Sequence, residues 1–128
     1  MNGSYEINTS NSFPHSSGIA SSASAMAALA LCVVDFEKQF HPELGEQDFF
    51  KKASFLARLG SGSAARSIKG PLTLWGKSPA FRNSSDLYAI PFESGIHPVF
   101  KSYCDTVLIV DRDKKQVSSS VGHQLMQG

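Results

Sequence analysis

The spacing of apolar residues in the first half of the chain predicts one strand and two helices. Tyr5 and Ile7 alternate with polar residues, which is typical of a strand. An Ala-rich segment at residues 18–37 predicts a first helix, with Ser16 or Ser17 as its N-cap. Because this segment is apolar on most faces, we expect it to be buried between other elements. Apolar residues recur at helical spacing over residues 46–59, which predicts a second helix with Phe49 and Phe50 in the core.

The second half of the chain predicts short strands separated by polar turns. Residues 72–75 and 87–90 have strand character, and the polar segment between them is typical of a surface loop. Residues 106–110 form a continuous apolar run with β-branched members, which predicts a strand buried on both faces. Residues 118–126 predict the start of a third helix with Ser caps. Helices and strands without a regular alternation indicate an α+β fold.

Composition excludes several classes of function. The chain has 128 residues, 41% of them hydrophobic, and a formal net charge of +1, so neither nucleic acid nor an anionic membrane is an expected partner. The longest apolar run is too short to span a bilayer, and the start lacks an export signal, so we expect a cytoplasmic protein. We expect Cys32 and Cys104 to be free, buried thiols in a reducing compartment. The four histidines show no metal-ligand spacing, which argues against a zinc site.

The first of three Gly/Ser loops covers residues 14–23 and leads into the first helix. Backbone N–H groups of a helix start and small side chains suit a phosphate, and Ser21 and Ser22 add hydroxyls for a phosphate oxygen or Mg²⁺. The segment lacks the Gly-Lys-Ser/Thr of a Walker loop and the pattern of a dinucleotide-binding turn. A Ser-rich helix cap without a ligand explains the same residues equally well.

The second loop, residues 60–67, either opens a short helix or wraps an anion. Ser61 and Ser63 place hydroxyls at alternating positions, and Arg66 supplies the guanidinium best suited to a diphosphate. A flexible turn with a surface Arg is the alternative. A third loop, residues 114–123, carries two lysines and three serines, but a capped helix after a charged turn is the favoured interpretation there. No Asp or Glu adjoins these loops in sequence as an evident catalytic acid or base.

Taken in order, these loops resemble those of a known family. The string Phe13-Pro-His-Ser-Ser-Gly-Ile-Ala-Ser-Ser-Ala-Ser24 is similar to the phosphate loop of the GHMP kinase superfamily. Ala57-Arg-Leu-Gly-Ser-Gly-Ser-Ala-Ala-Arg-Ser67 resembles the diphosphomevalonate decarboxylase family within it. Leu74-Trp75-Gly76 and Lys115-Gln-Val-Ser-Ser-Ser-Val-Gly122 fit the same family. The resemblance implies an incomplete GHMP kinase-like N-terminal lobe over residues 1–113 and the beginning of a C-terminal domain over residues 114–128.

The resemblance also implies an activity and a set of site residues. Members of the family use ATP and Mg²⁺ to convert mevalonate 5-diphosphate to isopentenyl diphosphate in isoprenoid biosynthesis. The resemblance assigns catalytic roles to Arg66 and Ser22, and it places Ser22 nearest the metal. The ATP phosphates would contact Ser16, Ser17, Gly18, Ala20, Ser21 and Ser22, and the substrate, mevalonate diphosphate or a close analogue, would contact Ser61, Ser63, Arg66 and Ser119.

Two segments of the family pattern are expected outside these residues. A strand with a reactive-site Lys should precede Met1, and the catalytic Asp should follow Gly128, so we expect this chain alone to be inactive. A homodimer is a fair expectation for the full-length enzyme. Two alternatives stay open: another GHMP-type small-molecule kinase, or a non-catalytic phosphate-binding remnant.

Overall fold

The described part of the chain consists of helices followed by a small sheet. The computed structural model describes residues 4–13, 19–106, 108 and 121. The chain divides into two compact units, one formed by Ser22–Leu108 and the other by Met1–Ser21 with Ile109–Gly128. The elements, in chain order, are helix α1 (Ser21–Lys38), helix α2 (Glu46–Gly60), a 3₁₀ turn (Gly62–Ser67), strand β1 (Thr73–Trp75), strand β2 (Ala89–Pro91) and a second 3₁₀ helix (Pro98–Lys101). This mixture confirms the α+β class.

Helix α1 is buried along one face, and the expectation of burial on most faces is wrong. The buried positions Ala23, Ala27, Ala30 and Val34 are spaced by three or four residues and therefore form a single stripe. The exposed side chains on this helix include Val33 and Phe36. The reason is that the core cluster joins α1 only to α2 and the segment that follows α2, so only one side of the helix meets a neighbour in that cluster.

Helix α2 is confirmed within one residue of its predicted end. It begins after Gly45, carries Glu46 and Asp48 in its first turn and Arg58 in its last, which suits the helix macrodipole at both ends. Phe49 and Phe50, expected in the core, are only half-buried and pack edge to face with ring centroids 5.1 Å apart. The fully buried positions of this helix are instead small residues: Ala53, Ser54 and Ala57.

Both predicted strands around the polar loop are confirmed, with shifts of one or two residues at their ends. Strands β1 and β2 pair antiparallel, with Leu74 opposite Ile90. The loop between them is held by its own polar groups, since Ser84 Oγ accepts from Ser78 N–H at 2.8 Å and donates to Phe81 O at 2.6 Å. The loop is largely exposed, as expected.

Three expectations are wrong, and each of them depends on which other segments pack against the residues concerned. Residues 4–10 form no strand, and Tyr5 is 70% exposed, since the only sheet found in the described residues is β1–β2. Thr106 and Leu108 lie in no strand, and Leu108 is 83% exposed rather than buried. Cys32 and Cys104 are free, as expected, but both are exposed. The rest of the predicted strand at 106–110, and the helix at 118–126 apart from the helical, exposed Val121, lie outside the described residues.

Candidate functional site

Two serine hydroxyls from different predicted loops lie side by side. Ser22 Oγ, in the first turn of α1, is 3.5 Å from Ser61 Oγ, in the first residue after α2. Both residues belong to the unit Ser22–Leu108, and 39 positions separate them in sequence. The fold therefore brings the end of the first Gly/Ser loop to the beginning of the second.

A glycine permits this approach of the two helices. A Cβ on Gly60, the last residue of α2, would lie only 2.8 Å from Met26 Cγ on α1 and closer still to its sulfur. The Met26 side chain packs directly against Gly60 because Gly60 has no side chain of its own. Close packing at this point keeps Ser61 within reach of Ser22.

The second predicted loop folds as a 3₁₀ turn, so the short-helix interpretation is correct for its backbone. Ser61 precedes the turn in an extended conformation, and its carbonyl accepts from Ala64 N–H at 2.9 Å. Ala64 and Ala65 are buried. Ser63 and Arg66 are exposed, and because side chains three residues apart eclipse in a 3₁₀ helix, they lie on the same side of it. The predicted hydroxyl and guanidinium are thus displayed together.

The main chain of Arg66 is held by a hydrogen bond, and its side chain has no acidic partner among the described residues. Its carbonyl accepts from Thr73 Oγ1 at 3.4 Å. None of the ion pairs found in this part of the chain involves its guanidinium. A guanidinium without a carboxylate partner can fork onto a phosphate without first breaking an ion pair.

Comparison with known proteins assigns the chain to a family. The model of the diphosphomevalonate decarboxylase-like N-terminal domain matches residues 1–89. The chain belongs to that family. It is 33% identical to the diphosphomevalonate decarboxylase of Eremothecium gossypii over 119 residues, which are 92% of this chain and 27% of the relative. It is 33% identical to the Candida albicans enzyme over 120 residues, covering 92% of this chain and 30% of that relative.

The Saccharomyces cerevisiae diphosphomevalonate decarboxylase gives the same picture. It is 34% identical over 119 residues, which are 93% of this chain and 28% of the yeast protein. The chain thus spans less than a third of the length of these curated relatives. No solved structure matches the chain significantly.

The remaining residues assigned by resemblance to the decarboxylase family stay predictions. Ser21 is the first residue of α1, and Ala20 before it has a left-handed backbone with φ of 52°. Such a conformation is uncommon outside glycine and marks a sharp entry into the helix. The other predicted phosphate and substrate contacts, Ser16, Ser17, Gly18 and Ser119, lie outside the described residues.

Ser54 supports the site and was not singled out by sequence reasoning. It is 1% exposed, its hydroxyl donates to Ala65 O at 2.8 Å, and it accepts from Ala89 N–H at 2.8 Å. One side chain thereby joins α2, the 3₁₀ turn and β2. The signal was available, because Ser54 lies four residues after Phe50, on the apolar stripe of α2.

A separate cavity of about 340 Å³ lies between the start of α2 and β2. Lys69 Nζ is 2.6 Å from Glu46 Oε1 and lies 4.1 Å from the centre of the Phe50 ring. The hydrogen bond from Lys69, together with its charge, lowers the pKa of Glu46. None of the predicted site residues lines this cavity, whose wall residues are Glu46, Gln47, Phe50, Lys51, Lys69, Asn83, Ala89, Ile90, Pro91 and Glu93.

The described residues contain neither a metal cluster nor a membrane span. No three His, Cys, Asp or Glu side chains are grouped there to hold a metal ion. Neither α-helix in that part of the chain is long and apolar enough to cross a bilayer.

Proposed function

We propose that this chain supplies the ATP-phosphate loop and the substrate-diphosphate clamp for the conversion of mevalonate 5-diphosphate to isopentenyl diphosphate. The reaction is ATP-dependent and belongs to a larger, GHMP kinase-like enzyme of isoprenoid biosynthesis. The observation that carries the proposal is the 3.5 Å approach of Ser22 Oγ and Ser61 Oγ. Membership of the decarboxylase-like family supports it, as do relatives that bear the decarboxylase name.

The ATP side of the proposed site is the start of α1. The first turn of a helix has backbone N–H groups without helical partners and carries partial positive charge, which favours phosphate. Ser22 adds a hydroxyl in that turn. Its neutral oxygen suits Mg²⁺, an ion that prefers oxygen ligands, keeps several waters and is commonly held through substrate phosphates. When bound, Mg²⁺ would neutralise charge on the transferred phosphoryl group.

The substrate side is formed by Ser61, Ser63 and Arg66. Ser61 would contact the substrate beside Ser22, and the Arg66 guanidinium would bind the diphosphate of mevalonate 5-diphosphate through paired N–H donors. Ser63 shares the exposed side of the 3₁₀ turn with Arg66 and would donate to the same group. These residues bind and orient the substrate, so that its tertiary hydroxyl faces the γ-phosphate of ATP.

The chemistry then needs orientation and charge neutralisation. The tertiary hydroxyl would give its proton to an orienting carboxylate of the enzyme and take the γ-phosphoryl group of ATP, with ADP as the leaving group. The new phosphate then leaves with the electron pair of the C–O bond, while the pair of the C–C bond to the substrate carboxylate forms the double bond of isopentenyl diphosphate and CO₂ is released. Positive charge develops at the tertiary carbon, while Arg66 holds the diphosphate away from it. The carboxylate that orients the hydroxyl is assigned by the resemblance to another segment of the family. We therefore expect binding by this chain alone, without turnover.

The test compares two arginine variants of the chain. Titration calorimetry measures binding of mevalonate 5-diphosphate and of Mg-ATP to the parent chain, to Arg66→Ala and to Arg82→Ala. Arg82 is also exposed, and its replacement removes the same charge, so it controls for net charge. Loss of a hydrogen bond to a charged group costs about 1.5–3 kcal/mol, so Arg66→Ala should weaken mevalonate 5-diphosphate binding about 10- to 100-fold.

A comparison of two ligands, mevalonate and mevalonate 5-diphosphate, distinguishes the proposed decarboxylase from a kinase that acts on an unphosphorylated substrate. Mevalonate lacks the diphosphate, so the parent chain should bind it more weakly than mevalonate 5-diphosphate, and Arg66→Ala should not change its affinity. Equal affinities for the two compounds, or equal losses in Arg66→Ala and Arg82→Ala, would refute the clamp. Formation of isopentenyl diphosphate by the 128-residue chain would contradict the assignment of the orienting carboxylate to another segment.

A further inference from the structure

Strand β1 turns two side chains toward the two ends of the 3₁₀ turn. Thr73 and Trp75 are two residues apart, so they lie on the same face of the strand. Thr73 Oγ1 donates to Arg66 O at 3.4 Å. A carbon of the Trp75 ring, Cη2, lies 3.7 Å from the position that a Cβ would take on Gly62. One strand face therefore hydrogen-bonds the end of the segment that displays Ser63 and Arg66 and lies close to its beginning.

Trp75 is fixed from its other side by the loop between the strands. Its indole N–H donates to Asp86 O at 3.0 Å. The Asp86 carboxylate accepts from Lys77 N–H at 2.9 Å, which closes the loop on itself. The ring is thus fixed by its N–H on the loop side, and its opposite edge lies beside Gly62.

From this arrangement we propose that Thr73 and Trp75 are positioning residues for the diphosphate clamp. Neither needs to touch the ligand. Thr73 acts through the Arg66 backbone and Trp75 through Gly62, so that the 3₁₀ turn presents its donors in one orientation. A binding group gives affinity and rate only when its supporting contacts hold it in place. The inference rests on the proposed function for its ligand, but the positioning itself is measurable without one.

The experiment uses inorganic pyrophosphate as the probe and three kinds of variant. Trp75→Leu and Thr73→Val remove the two supporting contacts, and Thr73→Ser keeps the hydroxyl. Phe81→Leu is the control for loss of an aromatic ring, because Phe81 and Trp75 are each 37% exposed. Titration calorimetry measures the pyrophosphate Kd. Amide hydrogen exchange follows Ala64 N–H, which donates to Ser61 O at 2.9 Å and reports on order in the turn.

We expect Trp75→Leu and Thr73→Val to weaken pyrophosphate binding ~10-fold, which corresponds to ~1.4 kcal/mol, and to speed exchange at Ala64. Thr73→Ser should recover both values, and Phe81→Leu should change neither. In an Arg66→Ala background the effect of Thr73→Val on pyrophosphate affinity should vanish, because Thr73 acts through that residue. The fluorescence of Trp75, the single Trp of the chain, should change on pyrophosphate binding in the parent and not in Arg66→Ala.

The outcomes separate this inference from the proposed function. If the parent chain fails to bind pyrophosphate, the clamp is refuted, and exchange at Ala64 alone then decides whether the two side chains order the turn. If Trp75→Leu and Thr73→Val match Phe81→Leu in exchange, the positioning role is refuted whatever the affinities. Faster exchange with unchanged pyrophosphate affinity also refutes it, because the turn would then be ordered for a reason unrelated to the ligand.

Discussion

Replacing Ser54 by Ala should destabilise the chain more than any other single removal of one oxygen atom among its described serines. The hydroxyl is buried and serves as donor to Ala65 O and acceptor from Ala89 N–H, each at 2.8 Å. The substitution leaves one carbonyl and one N–H without their side-chain partner in the interior. A missing hydroxyl leaves a void too small to admit a water molecule that could take its place.

The magnitude follows from these two groups. Leaving a buried donor or acceptor unsatisfied costs about 1–3 kcal/mol, so two groups cost about 2–6 kcal/mol. Alanine has the higher helix propensity in the middle of α2 and returns about 0.5 kcal/mol. The net loss of about 1.5–5.5 kcal/mol is a large part of the roughly 5–15 kcal/mol that stabilises a typical domain.

Urea denaturation followed by fluorescence of the single Trp measures this loss. The control is Ser84→Ala, which removes a hydroxyl with three hydrogen bonds, one more than Ser54 has, but in a partly exposed loop where water can replace them. We expect Ser84→Ala to cost less than about 1 kcal/mol. If Ser54→Ala costs no more than Ser84→Ala at an unchanged m-value, the assignment of Ser54 as the joint between α2, the 3₁₀ turn and β2 is wrong.

Three further predictions concern helix packing, one carboxylate and the thiols. Gly60→Val should lower the free energy of unfolding in urea by about 1–3 kcal/mol, because the valine side chain must displace Met26. The double variant Gly60→Val with Met26→Ala should cost less than the sum of the two single changes. Strict additivity would contradict the contact between Gly60 and Met26. Lys69→Met should raise the pKa of Glu46, measured by NMR titration of its carboxyl. Because the fold lowers this pKa, the stabilisation from Glu46 is present above the ordinary Glu pKa of about 4.3 and is lost as the pH falls through the folded-state value; an unchanged Glu46 titration in the variant would contradict this cause. Both exposed cysteines should react rapidly with a thiol reagent in the native state, and fewer than two equivalents would contradict their exposure.

Local periodicity was sufficient to place α2, and it placed α1, β1 and β2 within three residues, but it did not predict the second 3₁₀ helix, Pro98–Lys101. Helix α2 starts at the predicted residue because its apolar stripe and its acidic first turn agree. Strand β1 ends before Gly76, whose φ of 114° suits only glycine well. These features depend on neighbours within a few residues, which the sequence contains.

Burial and proximity were harder to predict, because they depend on segments distant in sequence. Val33 and Phe36 are apolar, and nothing in their own helix says that only the opposite stripe of α1 meets the core cluster. The motif identified Ser61 and Arg66, but not that Ser61 Oγ would lie 3.5 Å from Ser22 Oγ. Phosphate binding by these residues depends on their hydrogen-bond donors and charge, which their spacing in the sequence does not determine. The calorimetric titrations test this binding directly.

The core cluster of this unit has a consequence for how the chain can evolve. Its buried members are four alanines, Ala23, Ala30, Ala57 and Ala64, each of which contributes only a methyl group. Side chains this small pack with little space between them, so a larger side chain at these positions forces α1 and α2 apart. The hydroxyls of Ser22 and Ser61 at the ends of these helices would then separate as well. Substitutions in this core can thus alter the distance between the Ser22 and Ser61 hydroxyls, and we expect the alanines to tolerate change less than the surface aromatic residues do.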